Sequence, residues 1–223
     1  YRSNPVEVEM KLVFVRHGES EGNADGRLQG QTEFQLSERG RSQSRSLRER
    51  FQMEGFRPTH IYSSPQQRTA ETAQLVTSYW HIPIVYLDDL KEYDVGIFSG
   101  LTWSEIGAKY PEVVQEFQKS RNWDIVEGAE TLKSRSNRAI RVIETLFARH
   151  ANNDEVLVFT HGGILQYILA ALIGTERIWG ITVHNTAVFS FTLALDHWWL
   201  GGSGLQNNFL WRIVHFNDAS HLD

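Results

Sequence analysis

The chain has no cysteine among its 223 residues, which excludes disulfides, thiol nucleophiles and thiolate metal sites. Proline occurs at only five positions, and two of these, Pro65 and Pro111, punctuate helical patterns. Positive charge is in the minority: Lys and Arg number 22 against 27 Asp and Glu, a net charge of −5. The molecule as a whole therefore does not attract polyanions, so neither nucleic acid nor an anionic membrane is expected as a partner, and any anion site must be local. Long apolar runs are also missing. Stretches such as Ile164 to Ile173 are too short and interrupted to span a bilayer, and no basic-then-apolar leader pattern is present, so a cytoplasmic location is expected.

What is present reads as an ordinary packed protein, with 41% hydrophobic and 22% charged residues. The length suits one domain over residues 1–223, with no repeat or flexible linker. Met10 to Val15 is a short apolar, partly β-branched run ending in Arg16-His17-Gly18, a buried strand feeding a loop. That loop, through Gly30, is too rich in Gly, Asn and Asp for regular structure. Ser37 is placed to cap a helix running to about Phe51. His60 to Ser63 predicts a second strand, followed by a helix from Ser64-Pro65 to about Trp80 with Arg68 near its start. Ile84 to Leu87 predicts a third strand before the polar loop Asp88 to Gly96. The segment roughly 100–130 is helical, broken at Pro111, and could act as a lid. Thr131 to about His150 is a longer helix with Ile140, Ile143, Leu146 and Phe147 on one face. Val156 to Thr160, the tip His161-Gly162-Gly163 and the helix to Ile173 complete a fourth strand–tip–helix unit. Such alternation predicts a three-layer α/β/α fold with a mostly parallel central sheet and ligands at the carboxyl ends of the strands. Thr186 to Leu195 and Leu210 to Phe216 read as an antiparallel extension joined by the Trp198 to Asn208 loop.

His17, Glu92 and His161 all follow predicted strand ends, with Arg16 beside one histidine and Arg68 at a helix start. Together they supply a nucleophile, a proton donor and cationic groups suited to a tetrahedral dianion. The blander readings are a backbone-bonded histidine, a surface arginine and a solvated loop carboxylate, with Asp88, Asp89 and Asp94 as rivals of Glu92. His184 and His215 read as structural, and no role is assigned to Trp103, Trp123, Trp198 or Trp199.

Several pieces in order resemble the histidine phosphatase, or phosphoglycerate mutase-like, superfamily. They are Val13-Phe14-Val15-Arg16-His17-Gly18-Glu19-Ser20, then Asn23, Leu28-Gln29-Gly30 and Leu36-Ser37-Glu38-Arg39-Gly40. Ser63-Ser64-Pro65 with Arg68-Thr69-Ala70-Glu71-Thr72-Ala73, Leu90 to Gly96 and Thr160-His161-Gly162-Gly163 follow. The resemblance implies a phosphoglycerate mutase-like fold and a metal-independent phosphatase of small phosphate monoesters, with no cofactor and no metal. It implies His17 as the phosphate-accepting nucleophile, Arg16 and Arg68 on phosphate oxygens, and His161 as a donor to the phosphoryl group in its imidazolium form. Glu92 would protonate the leaving oxygen, while Asn23, Gln29, Gly30 and Gly162 would contact phosphate or substrate. Such a small phosphorylated metabolite is the expected partner, and a homodimer is an open alternative to a monomer.

A mutase is the main rival, yet Gly96 to Trp103 is short and uncharged where cofactor-dependent mutases carry a basic segment. A metal hydrolase using His17 and His161 is disfavoured by the adjacent arginine and by the lack of an H-E-x-x-H pair. The block Trp103 to Glu130 is expected to decide substrate choice.

Overall fold

The computed structural model describes residues 9–197 and 210–223. Two strands form its centre, β1 (Met10–Arg16) and β4 (Glu155–Thr160), and their nearly continuous apolar sequences suit burial on both faces. They run parallel with Val13 opposite Leu157 and Arg16 opposite Thr160. β2 (His60–Ser63) and β3 (Ile84–Tyr86) continue the parallel side beyond β4. β5 (Val188–Leu193) and β6 (Trp211–Asp218) continue the other side, antiparallel to β1 and to each other. The sheet order is β3-β2-β4-β1-β5-β6, the mixed sheet that the alternation predicts. The Trp198 to Asn208 loop, with Trp198 and Trp199, lies outside the described residues.

Helices cover both faces. One difference from the sequence reading comes first: Glu21–Ala24, inside the loop read as irregular, forms a single helical turn, α1, because Ser20 and Asn23 cap it reciprocally. α2 (Glu38–Met53) begins where expected, with Ser37 Oγ accepting the Gly40 N–H at 3.0 Å. α3 (Gln67–Thr77) stops short of Trp80. α2 and α3 bury Leu47, Phe51, Ala73 and Val76 against Val13, Val15, Leu157 and Phe159. α4 (Trp103–Lys109) and α5 (Pro111–Ser120), divided at Pro111, enclose a smaller core of Phe98, Ile106, Phe117 and Val126.

The other face is covered by α6 (Leu132–Arg149) and α7 (Gly162–Ile173). Ala139, Val142, Ile143, Leu146, Ile164 and Ile168 pack there against Leu12, Phe14, Val156 and Val158. Alternate residues of β1 thus serve opposite cores, as a pleat requires. Each such Leu, Val or Phe contributes roughly 1.5–3 kcal/mol by leaving water. Ile140, expected on the buried face of α6, is 45% exposed. The buried stripe runs Ala139, Val142, Ile143 and Leu146, and Ile140 falls just outside it.

Candidate active site

Because Arg16 pairs with Thr160, the first residues beyond β1 and β4 emerge side by side. These are His17 and His161, whose rings lie edge to face with centroids 5.1 Å apart. The sheet register, rather than any long-range side-chain bond, brings the two histidines together.

The His17 Nδ1–H donates to its neighbour's carbonyl, Gly18 O, at 2.6 Å. That tautomer leaves the lone pair on Nε2. Burial lowers the His17 pKa well below 6.5, and the charges of Arg68 and Arg16 push it the same way, so the ring is a neutral base. Its backbone is pinned on three sides. The His17 N–H donates to Thr160 O at 3.0 Å, the Asn185 side-chain amide donates to His17 O at 3.1 Å, and the next N–H, of Gly18, donates to Thr72 Oγ1 at 3.0 Å.

His17 borders a cavity of about 360 Å³ together with Arg16, Asn23, Gln29, Gly30, Arg68, Glu92 and Gly162. All eight are residues singled out in the sequence. His161, the ninth, is fully buried and does not border the cavity. Its Nε2 lies 2.9 Å from Ser64 Oγ and 3.1 Å from Thr69 Oγ1. Burial, then the Arg68, His17 and Arg16 charges, lower its pKa well below 6.5, so the protein alone favours the neutral ring.

The two arginines are held by backbone oxygens. Arg68, 1% exposed, donates to Thr32 O at 3.0 Å and Gly30 O at 2.9 Å. Burial pulls its pKa down to about 10, against the opposing pull of Glu92 and Glu33, so it stays charged near neutrality. Arg16 donates to Val183 O. The Nε of each is buried without a hydrogen-bond partner among the described residues, and no carboxylate there lies within salt-bridge distance of either. Two charges are therefore fixed but not neutralised, which is what an anion site needs. Gly30 contributes its carbonyl to Arg68, a contact different from the substrate contact expected of it. Asn23 Oδ1 accepts the Ser20 N–H at 3.2 Å, and Gln29 Oε1 lies 2.8 Å from Ser20 Oγ. With those oxygens engaged, both side chains have their NH₂ groups to offer an anion.

Glu92 stands apart from its rival carboxylates. Asp88 pairs with Lys91 at 3.0 Å, Asp89 pairs with Arg141 at 2.8 Å, and Asp94 accepts the Gly96 N–H at 2.8 Å. Of the four, only Glu92 borders the cavity. Its carboxylate accepts the N–H groups of Gly163 at 2.9 Å, Ile164 at 2.8 Å and Tyr93 at 3.0 Å, two of them from the first turn of α7. Glycine at 163 is required for this approach, since a Cβ there would lie 2.6 Å from Glu92 Oε1 and 2.4 Å from the Tyr93 ring.

The rest of the wall is Arg27, Leu28, Tyr93, Val95, Gly163, Gln166, Ile181, Thr182 and Val183. No residue of 103–130 borders the cavity, and α4 and α5 turn Ile106 and Phe117 into their own small core. Residues 181–183 carry no readable motif. The turn that follows, Asn185-Thr186, braces the β1 end: the Thr186 N–H donates to Arg16 O at 3.1 Å and the Asn185 amide to His17 O.

The sequence model of the histidine phosphatase superfamily (branch 1) matches residues 12–204. The chain is 37% identical over 171 residues to a metal-independent phosphoserine phosphatase of Arabidopsis thaliana, covering 74% of this chain and 71% of the relative. It is 33% identical over 180 residues to phosphoserine phosphatase 1 of Hydrogenobacter thermophilus, covering 80% and 84%. Among solved structures, Bacillus stearothermophilus YhfR superposes with a TM-score of 0.79 at 26% identity, covering 96% of this chain and all (100%) of that one. The chain belongs to the histidine phosphatase superfamily, branch 1.

Proposed function

We propose that this chain hydrolyses small phosphate monoesters by transferring the phosphoryl group to His17 and then to water. The observation that carries the reading is the His17 tautomer: Nδ1–H on Gly18 O at 2.6 Å makes Nε2 the nucleophilic nitrogen, beside two guanidiniums that form no ion pair with a carboxylate among the described residues. The lone pair on Nε2 forms the N–P bond as the P–O bond to the alcohol breaks. Glu92 supplies the proton to the leaving oxygen and then takes one from the water that cleaves phosphohistidine. Arg16 and Arg68 hold the non-bridging oxygens, helped by the amides of Asn23 and Gln29. A bound dianion offsets the Arg68 and Arg16 charges that act alongside burial to lower the His161 pKa, which favours protonation of that ring on binding and its donation to the phosphoryl group.

A cavity of about 360 Å³ suits a single small metabolite. Phosphoserine heads the candidates, because two of the relatives bear that name, followed by phosphoglycerates and sugar-acid phosphates. The mutase reading has less support: relatives named probable phosphoglycerate mutase are 26% identical. The Gly96–Phe98 turn also buries Phe98 instead of presenting a cation. Turnover of para-nitrophenyl phosphate and phosphoserine by the wild type after EDTA dialysis, set against His17→Ala, tests the proposal. Full activity in the dialysed wild type and at least a roughly 10³-fold loss in the variant are expected. Equal rates in the two proteins would refute the nucleophile.

A further inference from the structure

At the amino ends of the strands, opposite the end that carries His17, the fold brings His60 against a pair four residues apart, His150 and Asp154. His60 opens β2, His150 follows α6, and Asp154 immediately precedes β4. Their donor atoms all lie within 4.8 Å of one another. His150 Nδ1 is 3.3 Å from Asp154 Oδ2, and His60 Nδ1 is 3.7 Å from Asp154 Oδ1. The two imidazole rings are tilted with centroids 4.4 Å apart. We propose that His60, His150 and Asp154 form a binding site for a borderline divalent transition metal such as zinc, separate from the phosphate site.

The chemistry of the donors selects the metal. Two imidazoles and one carboxylate suit zinc, nickel or copper, whereas calcium and magnesium want oxygen donors throughout. The supporting contacts are those a metal site uses. His150 Nε2 lies 2.9 Å from Tyr62 Oη, so the ring can place its proton there and present Nδ1 to the ion. Asp154 is steadied by the Ala151 N–H at 3.0 Å and by Thr59 Oγ1 at 3.3 Å. His150 hydrogen-bonds Asp154, and the second imidazole, brought over the first by another strand, has its Nδ1 2.9 Å from Thr59 Oγ1, a contact with a rotatable hydroxyl that an ion shared by the three donors would displace. Zinc–nitrogen and zinc–oxygen bonds of about 2.0–2.2 Å require the donors to draw closer. The arm with room to draw in is His60, whose side chain is 48% exposed, while the His150 side chain is 1% exposed and fixes the geometry. Solvent on the His60 side completes the coordination.

The six residues of β4 separate Asp154 from His161, roughly 20 Å of strand at about 3.3 Å per residue. The ion therefore takes no part in phosphoryl transfer. It ties the start of β2, the end of α6 and the start of β4 together.

The test is Zn²⁺ binding by equilibrium dialysis and calorimetry to the whole chain, with Co²⁺ absorption as a probe of the ligands. Wild type and His17→Ala should each bind one equivalent of Zn²⁺ and gain thermal stability from it. His60→Ala, which removes an exposed side chain and is checked for folding by circular dichroism, should weaken binding at least about tenfold and abolish the Co²⁺ bands. Absence of binding to the wild type, or equal binding by His60→Ala, overturns the site. Loss of binding in His17→Ala alone also overturns it and moves the metal to the phosphate cavity.

Discussion

Arg50, on α2, donates to Glu54 at 2.7 Å and to Asp218 at 2.6 Å. Arg68, on α3 and also buried, donates instead to the carbonyls of Thr32 and Gly30 at 3.0 and 2.9 Å. The same side chain is neutralised in one place and merely aimed in the other. A carboxylate partner turns a buried guanidinium into framework, whereas carbonyl dipoles fix its direction and leave its charge for a ligand. The carboxyl ends of the strands carry arginines of the second kind, Arg16 and Arg68. The margin where α2 meets the chain's last residues carries one of the first.

The sharpest way to break this comparison is to exchange the losses. Arg68→Ala should lower kcat/KM for a phosphate monoester by about 10²–10³-fold; a change within a few-fold would remove Arg68 from the anion site. Gly163→Ala comes next. Its methyl displaces Glu92, and kcat should fall by about 10–100-fold with a smaller change in KM. Retention of full kcat would detach Glu92 from proton transfer. Arg50→Ala should do the converse. A loss of about 1–3 kcal/mol in denaturant-monitored stability is expected, with kcat/KM within roughly twofold of wild type. An activity loss matching that of Arg68→Ala would erase the distinction.

The smallest effects are those of pH, and they also differ between the regions. His17 and His161 are held neutral from well below 6.5 upward. After correction for the substrate's own ionisation near pH 6, activity should persist as pH falls through 6.5 and decline only well below it. A limb at 6.5 in the pH–rate profile would contradict the buried, arginine-flanked geometry. On the framework side, burial and Arg50 hold His221 down to about 4. The unfolded chain takes up that proton near 6.5, so the contribution of His221 is fully present above 6.5 and is lost as pH falls toward 4. Burial works against ionisation of Asp218, but hydrogen bonds from Arg50 and Ser220 outweigh it and keep the carboxylate below its ordinary range. Its contribution is lost at still lower pH. Urea titrations from pH 7 down to about 2 check the order.

Local signals were legible where one residue type decides the outcome. The apolar runs of β1 and β4, the Ser37 cap and the break at Pro111 were read directly from sequence. So were the residues that line the cavity from strand-end motifs. What escaped the sequence depends on register or on distant partners. The turn α1 rests on a reciprocal Ser20–Asn23 cap within a Gly-rich stretch. The placement of Ile181 to Val183 in the wall requires knowing how the chain returns after α7. His161 illustrates both: its neighbour across the sheet follows from strand pairing, but its neutrality comes from complete burial and from charges on Arg68 and Arg16 that no local pattern reveals.

The central claim, that His17 carries the phosphoryl group, is tested most directly by quenching turnover of a radiolabelled phosphate monoester in alkali and mapping the labelled protein. The account predicts an acid-labile, alkali-stable label on one peptide containing His17, absent from His17→Ala. Turnover without any such label, or a label that survives in His17→Ala, would contradict it.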